Sequence, residues 1–179
     1  LRALVAGGPM PARLAFYDVP PDLELLPRPW RKDGIPLWIG SWGSSAGLAR
    51  VVRVGDGWLA SAYNTTPERF ASARAALDDA LRARGRDTAS CPAALATMWT
   101  WVTEDRAEAE RVLSQVLAPI LGRAPEELRP HVCVGPAGHC VDLLSRYAEA
   151  GCERAYLWPL GDEKRQIELV ARAVVPELP

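Results

Sequence analysis

Four short apolar runs, at 35–39, 58–60, 91–102 and 152–160, are each followed by a segment whose apolar residues recur at helical spacing. This alternation constrains the fold more than any other feature. Strands that alternate with helices are joined by crossovers, which require a parallel α/β sheet covered by helices. Leu48, Val51 and Val52 mark the apolar side of the first helix. Thr66 is the expected N-cap of the second, with Pro67 at its first position, Phe70, Ala73, Leu77, Ala80 and Leu81 as its buried stripe, and Gly85 as its stop. Thr103 is expected to cap a third helix with an acidic first turn, Glu104-Asp105, and with Val112, Leu113, Val116, Leu117, Ile120 and Leu121 along it. Residues 131–135 lead into a fourth helix, 137–150, with Val141, Leu144, Tyr147 and Ala148 inward. Ile167, Val170 and Val174 mark the buried face of the last.

In such a fold, ligands bind where the strands end, because helix N-termini on that rim present unpaired N–H groups. The turn Gly40-Ser41-Trp42-Gly43-Ser44-Ser45 has the composition of a phosphate loop: glycines allow close backbone approach and serines offer hydroxyls. The same composition is also an ordinary way to cap a helix. Gly43-Ser44-Ser45-Ala46-Gly47 matches the pattern of a hydrolase elbow. That elbow needs its serine directly after the strand, and Ser45 lies several residues beyond Ile39. His131, Cys133, His139 and Cys140 fit no common zinc spacing, so no metal site is assigned. Both histidines are read as structural or solvated.

The composition is globular, with 49% hydrophobic and 24% charged residues. A net charge of -1 offers no electrostatic attraction to nucleic acid or to an acidic membrane, and no apolar stretch is long enough to span a bilayer. The scattered Cys91, Cys133, Cys140 and Cys152 read as reduced thiols of a cytoplasmic protein. Pro9, Pro11, Pro20, Pro21, Pro27, Pro29 and Pro36 exclude a continuous helix or central strand at 7–36. With Phe16, Tyr17, Leu23, Leu25, Leu26 and Trp30, that stretch is expected to be an ordered excursion packed over the domain.

Ile-Pro-Leu-Trp-Ile-Gly-Ser from Ile35, Arg-Val-Gly-Asp-Gly-Trp-Leu from Arg53, Arg84-Gly85-Arg86-Asp87, Val134-Gly135 before a helix ending Glu149-Ala150-Gly151, and Val174-Val175-Pro176 occur in one order along the chain. In that order they resemble the luciferase-like flavin- or deazaflavin-dependent oxidoreductases. The resemblance implies a (β/α)8 TIM barrel of which this chain is the C-terminal half, about four parallel strands alternating with helices. It is then a single partial domain, 1–179, with the proline-rich excursion at 7–36 and the half-barrel at 37–179. The chain is expected to be a fragment or one half of a split protein.

Carried over by the resemblance, Gly40, Ser41, Trp42, Gly43 and Ser45 hold the cofactor phosphate, while Ala60, Ser61, Tyr63 and Asn64, with Trp101 and Trp158, face the substrate. Where relatives carry Val-Gly-Thr-Pro-Glu-Glu, this chain has Val134-Gly135-Pro136-Ala137-Gly138-His139, without the threonine cap or the acidic first turn. The implied activity is an oxidoreductase acting on a small organic substrate, with FMN and oxygen or with coenzyme F420. No residue is assigned as catalytic. The alternative is a non-catalytic half-barrel or flavin-binding subunit. Because open sheet edges invite pairing, a homodimer or a pairing with the missing barrel half is expected.

Overall fold

The computed structural model describes residues 34–179 continuously, and 2–5, 16, 18–20, 22–24, 26–27 and 30 before them. The chain divides into two compact units, Leu1–Leu37 and Trp38–Pro179. In the first, Arg2–Val5 form one helical turn. Phe16, Leu26 and Trp30 are exposed, and Tyr17 and Leu25, also expected to pack, lie outside the described residues.

The second unit alternates as expected. β1 (Trp38–Gly40) leads to α1 (Ser45–Val54), and β2 (Gly57–Ser61) to α2 (Pro67–Arg82). β3 (Ala93–Val102) leads to α3 (Arg106–Arg111), which runs on through a π-helical stretch, Val112–Leu117, and a last turn, Ala118–Leu121. β4 (Cys133–Gly135) precedes α4 (Ala137–Glu149), and β5 (Arg154–Pro159) precedes α5 (Glu163–Ala173). β4 is an addition to the four expected strands. All pairings are parallel.

β3 is the hub. Ala94 pairs with Leu59 of β2 and with Arg154 of β5, and Thr100 pairs with Cys133 of β4 and with Pro159 of β5. A strand has two edges, so β2 and β4 share one of them, β4 continuing the lane where β2 stops. The sheet is therefore four lanes wide, and among the described strands β1 and β5 form its outer lanes, while β4, which pairs only with β3, also has an unpaired edge.

The register of β3 against β5 slips between Leu95 and Met98, and Thr97 there has φ 59°. A β-branched residue in the left-handed region is strained by about 1–3 kcal/mol. The bulge inserts one residue, and a one-residue slip exchanges the two faces of a strand. Ala93 and Leu95 before it, and Met98 and Val102 after it, consequently share the main core. Trp99 and Trp101 are thrown to the opposite side, against a second cluster around Leu113, Leu117 and Leu128.

The main core lies between the sheet and α1, α2, α4 and α5. Phe70, Leu77 and Leu81 of α2 are fully buried, each contributing about 1.5–3 kcal/mol by leaving water. Trp58 stacks on Phe70 with ring centroids 4.7 Å apart, and Tyr147 meets Phe70 edge-on at 5.8 Å. Arg86 donates to the carbonyls of Val52, at 2.7 Å, and Gly55, at 3.0 Å. Its cation thus sits on the C-terminal end of α1, where the helix dipole favours positive charge, and helps fix the helix axis.

Several expectations are corrected. The N-cap of α3 is Asp105, which accepts from the N–H groups of Ala107 and Glu108, while the Thr103 hydroxyl donates to the Glu108 carboxylate. Val116 and Ile120 are exposed, since the π-helical stretch rotates the face behind Leu113 and Leu117. Ala148 is exposed, and Leu143 takes its place inward. Ile167 is 61% exposed, whereas Gln166 is fully buried. The Gln166 amide accepts from the Val102 N–H at 2.6 Å and donates to the Val102 carbonyl at 3.2 Å, closing the β3 edge just beyond Pro159. Satisfying two backbone groups outweighs burying one isoleucine there. Among the described residues no helix is long and apolar enough to cross a membrane.

Candidate functional site

The turn between β1 and α1 is held from below. Ser41 N–H donates to the Leu59 carbonyl at 3.1 Å, and the Trp58 indole N–H donates to the Ser41 carbonyl at 3.0 Å. The Ser41 hydroxyl accepts from Gly43 N–H at 3.3 Å. Ser44, not Ser45, is the N-cap of α1, its hydroxyl accepting from Gly47 N–H at 3.2 Å. Gly47 is required by close approach: a Cβ there would stand 1.9 Å from the Ser41 hydroxyl. With Gly47 N–H held by the cap and Leu48 N–H by the Ser44 carbonyl, the N–H groups of Ser45 and Ala46 are the ones that an intrahelical bond cannot satisfy.

Of these two residues, Ala46 borders a cavity of about 480 Å³ at the C-terminal ends of β1 and β2. Gly40, Ser41 and Trp42 line it from the turn, Ser44, Ala46, Gly47 and Arg50 from α1, Leu59, Ala60 and Ser61 from β2, and Ala96 from β3. α1 has no acidic residue in its first turn. The arrangement is a set of hydrogen-bond donors with one guanidinium, suited to an oxyanion. A Cβ on Gly40 would meet nothing within 4 Å, so the backbone itself forms that wall.

Of the sequence-selected residues, Gly40, Ser41, Trp42, Ala60 and Ser61 thus come together. Gly43 turns away, its α-carbon facing Ala73 and Trp58, and Ser45 is the exposed first residue of α1 rather than part of the lining. Tyr63 and Asn64 lie in a short 3-10 turn, Ala62–Asn64, directly after β2. Trp101 packs in the second cluster, and its indole N–H, like that of Trp99, is buried without a hydrogen-bond partner. Trp158 is 49% exposed on β5 and meets Trp99 edge-on at 5.4 Å. Neither Trp101 nor Trp158 lines the cavity.

The histidines are structural. His131 Nδ1 lies 2.6 Å from the Thr65 carbonyl and His139 Nε2 lies 3.0 Å from the Val132 carbonyl, and since a carbonyl only accepts, each of these ring nitrogens carries the proton. A hydrogen bond with Cys140, together with burial, raises the pKa of the Cys133 thiol, and burial raises that of Cys152 to about 11. Protonated thiols are neither nucleophiles nor metal ligands. Among the described residues no cluster of three or more His, Cys, Asp or Glu is arranged to hold a metal ion.

Sequence reasoning missed Arg50 and Gly47. Arg50 was detectable in principle, because its i+4 spacing from Ala46 puts both on one helical face. Gly47 reads as a plain helical glycine until Ser41 is seen against it.

The family model described as luciferase-like monooxygenase matches residues 1–175. No curated protein sequence matches the chain. A coenzyme F420-dependent tetrahydromethanopterin reductase from Methanopyrus kandleri is similar in structure, with a TM-score of 0.72 at 16% identity over 99% of this chain and 60% of that one. An F420-dependent secondary alcohol dehydrogenase, in complex with an F420-acetone adduct, gives 0.76 at 17% identity over 99% and 58%. The oxygenating constituent of 3,6-diketocamphane monooxygenase from Pseudomonas putida, in complex with FMN, gives 0.66 at 15% identity over 99% and 60%. The chain therefore spans about 60% of the length of these three structures. The chain shares the TIM-barrel-like fold of these structures, and its own sheet is not closed, as in a partial barrel.

Proposed function

The chain belongs to the luciferase-like monooxygenase family, and we propose that it carries the phosphate-binding part of an oxidoreductase that uses FMN or coenzyme F420 on a small organic substrate. The observation that carries this reading is the donor-lined cavity at the head of α1. The residues present fit a phosphate: Ala46 offers its backbone N–H group, Ser41 and Ser44 lie in the turn, and Arg50 supplies positive charge on the same wall. Ala60, Leu59 and Ala96 form the apolar part.

When bound, the flavin or deazaflavin supplies the redox chemistry. The protein's own work here is orientation. The indole of Trp58 and the backbone of Leu59 hold the Ser41 turn against the sheet, and the Gly47 gap lets that turn close on the helix end. Preorganised donors of this kind bind an anion without paying again for their own ordering. All four cysteines are free thiols, which suits a reducing compartment such as the cytoplasm.

A second reading is favoured by the open edges β1 and β5, the latter with Tyr156 and Trp158 half-exposed. In it the chain is a flavin-binding half-barrel that turns over substrate only when paired with a second copy or with the other barrel half. Titration of the purified chain with FMN and with F420, followed by cofactor fluorescence, tests the first reading. Saturable binding of one cofactor supports it, and binding of neither overturns it. Turnover that appears only on adding the complementary half distinguishes the second.

A further inference from the structure

Arg123 sits outside the cavity, yet its contacts end on it. Gly122, at φ 62°, ends the last turn of the third helical segment, and Arg123 N–H donates back to the Ala118 carbonyl at 3.2 Å. The half-buried guanidinium then reaches the loop after β2. Nη1 donates to the Tyr63 carbonyl at 2.7 Å, Nη2 donates to Asn64 Oδ1 at 2.6 Å, and the group lies 5.6 Å over the Tyr63 ring.

These bonds determine the direction of the next one. A guanidinium has only donors, so the Asn64 amide atom facing it is the oxygen. The amide nitrogen therefore faces Ser61 Oγ, 3.0 Å away, and being a donor it makes the hydroxyl oxygen accept. The proton of Ser61 is left for another partner, and Ser61 lines the cavity.

We propose that Arg123 is a positioning residue that acts through Asn64 to fix the Ser61 hydroxyl as a hydrogen-bond donor to an acceptor oxygen of the cavity's ligand. The inference rests on the reading of the cavity as a cofactor phosphate site. Ser61 then agrees in polarity with the Ala46 N–H group and with Arg50 on the same wall. A ligand group that is itself a donor finds only the one remaining lone pair of Ser61 Oγ and leaves the Ser61 proton without that partner, so it binds less well.

The decisive variant is Asn64→Asp. A carboxylate still accepts from Arg123, so the clamp and the melting temperature are retained, but it cannot donate. Ser61 then turns its proton toward the carboxylate and presents lone pairs to the ligand. Fluorescence titration of the full chain with FMN and with F420 is expected to show an affinity loss of about ten-fold or more for Asn64→Asp and for Ser61→Ala. The double variant is expected to lose no more than the larger single, because both changes remove one hydrogen bond. Losses that add in full, or an unchanged affinity for Asn64→Asp, overturn the proposal.

A second measurement needs no ligand. Side-chain amide exchange by NMR is expected to show one protected Asn64 proton, lost in both Ser61→Ala and Arg123→Ala. Unchanged protection in Arg123→Ala overturns the relay. Failure of the wild-type chain to bind either cofactor overturns the cofactor reading instead, with the relay decided by exchange.

Discussion

Helices α1 and α4 start alike and differ in what meets their N-termini. Each follows a short parallel strand of the same sheet and begins at its C-terminal end. At α4 the N-cap is Pro136, which has no capping side chain, and Glu104 reaches in to accept from the Ala137 N–H at 3.2 Å. The chain thus supplies its own anion to that dipole. At α1 there is no acid in the first turn, and a cavity lined by serines and Arg50 stands in front of it. α2 resembles α4, with Glu68 in its first turn. The contrast teaches that a helix N-terminus is open to a ligand only where no side chain has already neutralised it.

The largest expected effect comes from removing what holds the open end in place. Trp58→Ala deletes a fully buried indole that both stacks on Phe70 and anchors Ser41. Urea denaturation is expected to show a loss of about 3–5 kcal/mol. Gly47→Ala comes next. Its Cβ would displace the Ser41 side chain, and overpacking of this kind costs about 1–3 kcal/mol, with cofactor affinity falling alongside. Wild-type affinity in that variant would mean that the turn is not where the ligand is held.

Replacing Ser41 and Ser44, the two serines of the turn that line the cavity, together by alanine is expected to weaken cofactor binding by about 1–3 kcal/mol, from the loss of hydroxyl partners to a charged group. The contrasting variant is Glu104→Gln. It reduces stability by about 0.3–1 kcal/mol by withdrawing the charge from the α4 dipole. Calorimetric titration should find its cofactor affinity unchanged. If Glu104→Gln alters affinity as much as the serine pair, the two helix ends are not functionally distinct.

The smallest effect is electrostatic. A hydrogen bond from Arg146 holds Glu68 down, from the ordinary 4.5 to about 2. A depressed carboxylate contributes stability above its unfolded pKa and loses that contribution as pH falls through the folded one, here between 4.5 and about 2. The pair is exposed, so salt screens it. Arg146→Ala should therefore leave melting near pH 7 almost unchanged in salt and flatten the acid limb of the melting curve.

The fold was legible wherever the pattern was local. Thr66 and Pro67 start α2, and Leu48, Val51 and Val52 face the core of α1, because capping and helical periodicity are properties of neighbouring residues. The face of α5 was misread for the opposite reason. Gln166 outranks Ile167 only because Val102, 64 residues away, has backbone groups at a bare strand edge. β4 escaped notice since three residues carry no periodicity, and nothing in Ala96-Thr97 announces a bulge. The turn 40–45 was legible as a candidate site by its glycines and serines, but the placement of Arg50, Gly47 and Arg123 was not.

The sequence by itself determined the alternation of strands and helices, the parallel sheet it requires, and the glycine- and serine-rich turn between β1 and α1. Those follow from rules of short range: the period of apolar residues and the backbone freedom of glycine. Tertiary structure alone decided which helix end stays open, which side of β3 carries its tryptophans, and which way the Ser61 proton points. Each of those depends on a partner distant in the chain, Glu104 for α4, the β5 register for β3 and Arg123 for Asn64, and so on a geometry that exists only once the sheet has formed.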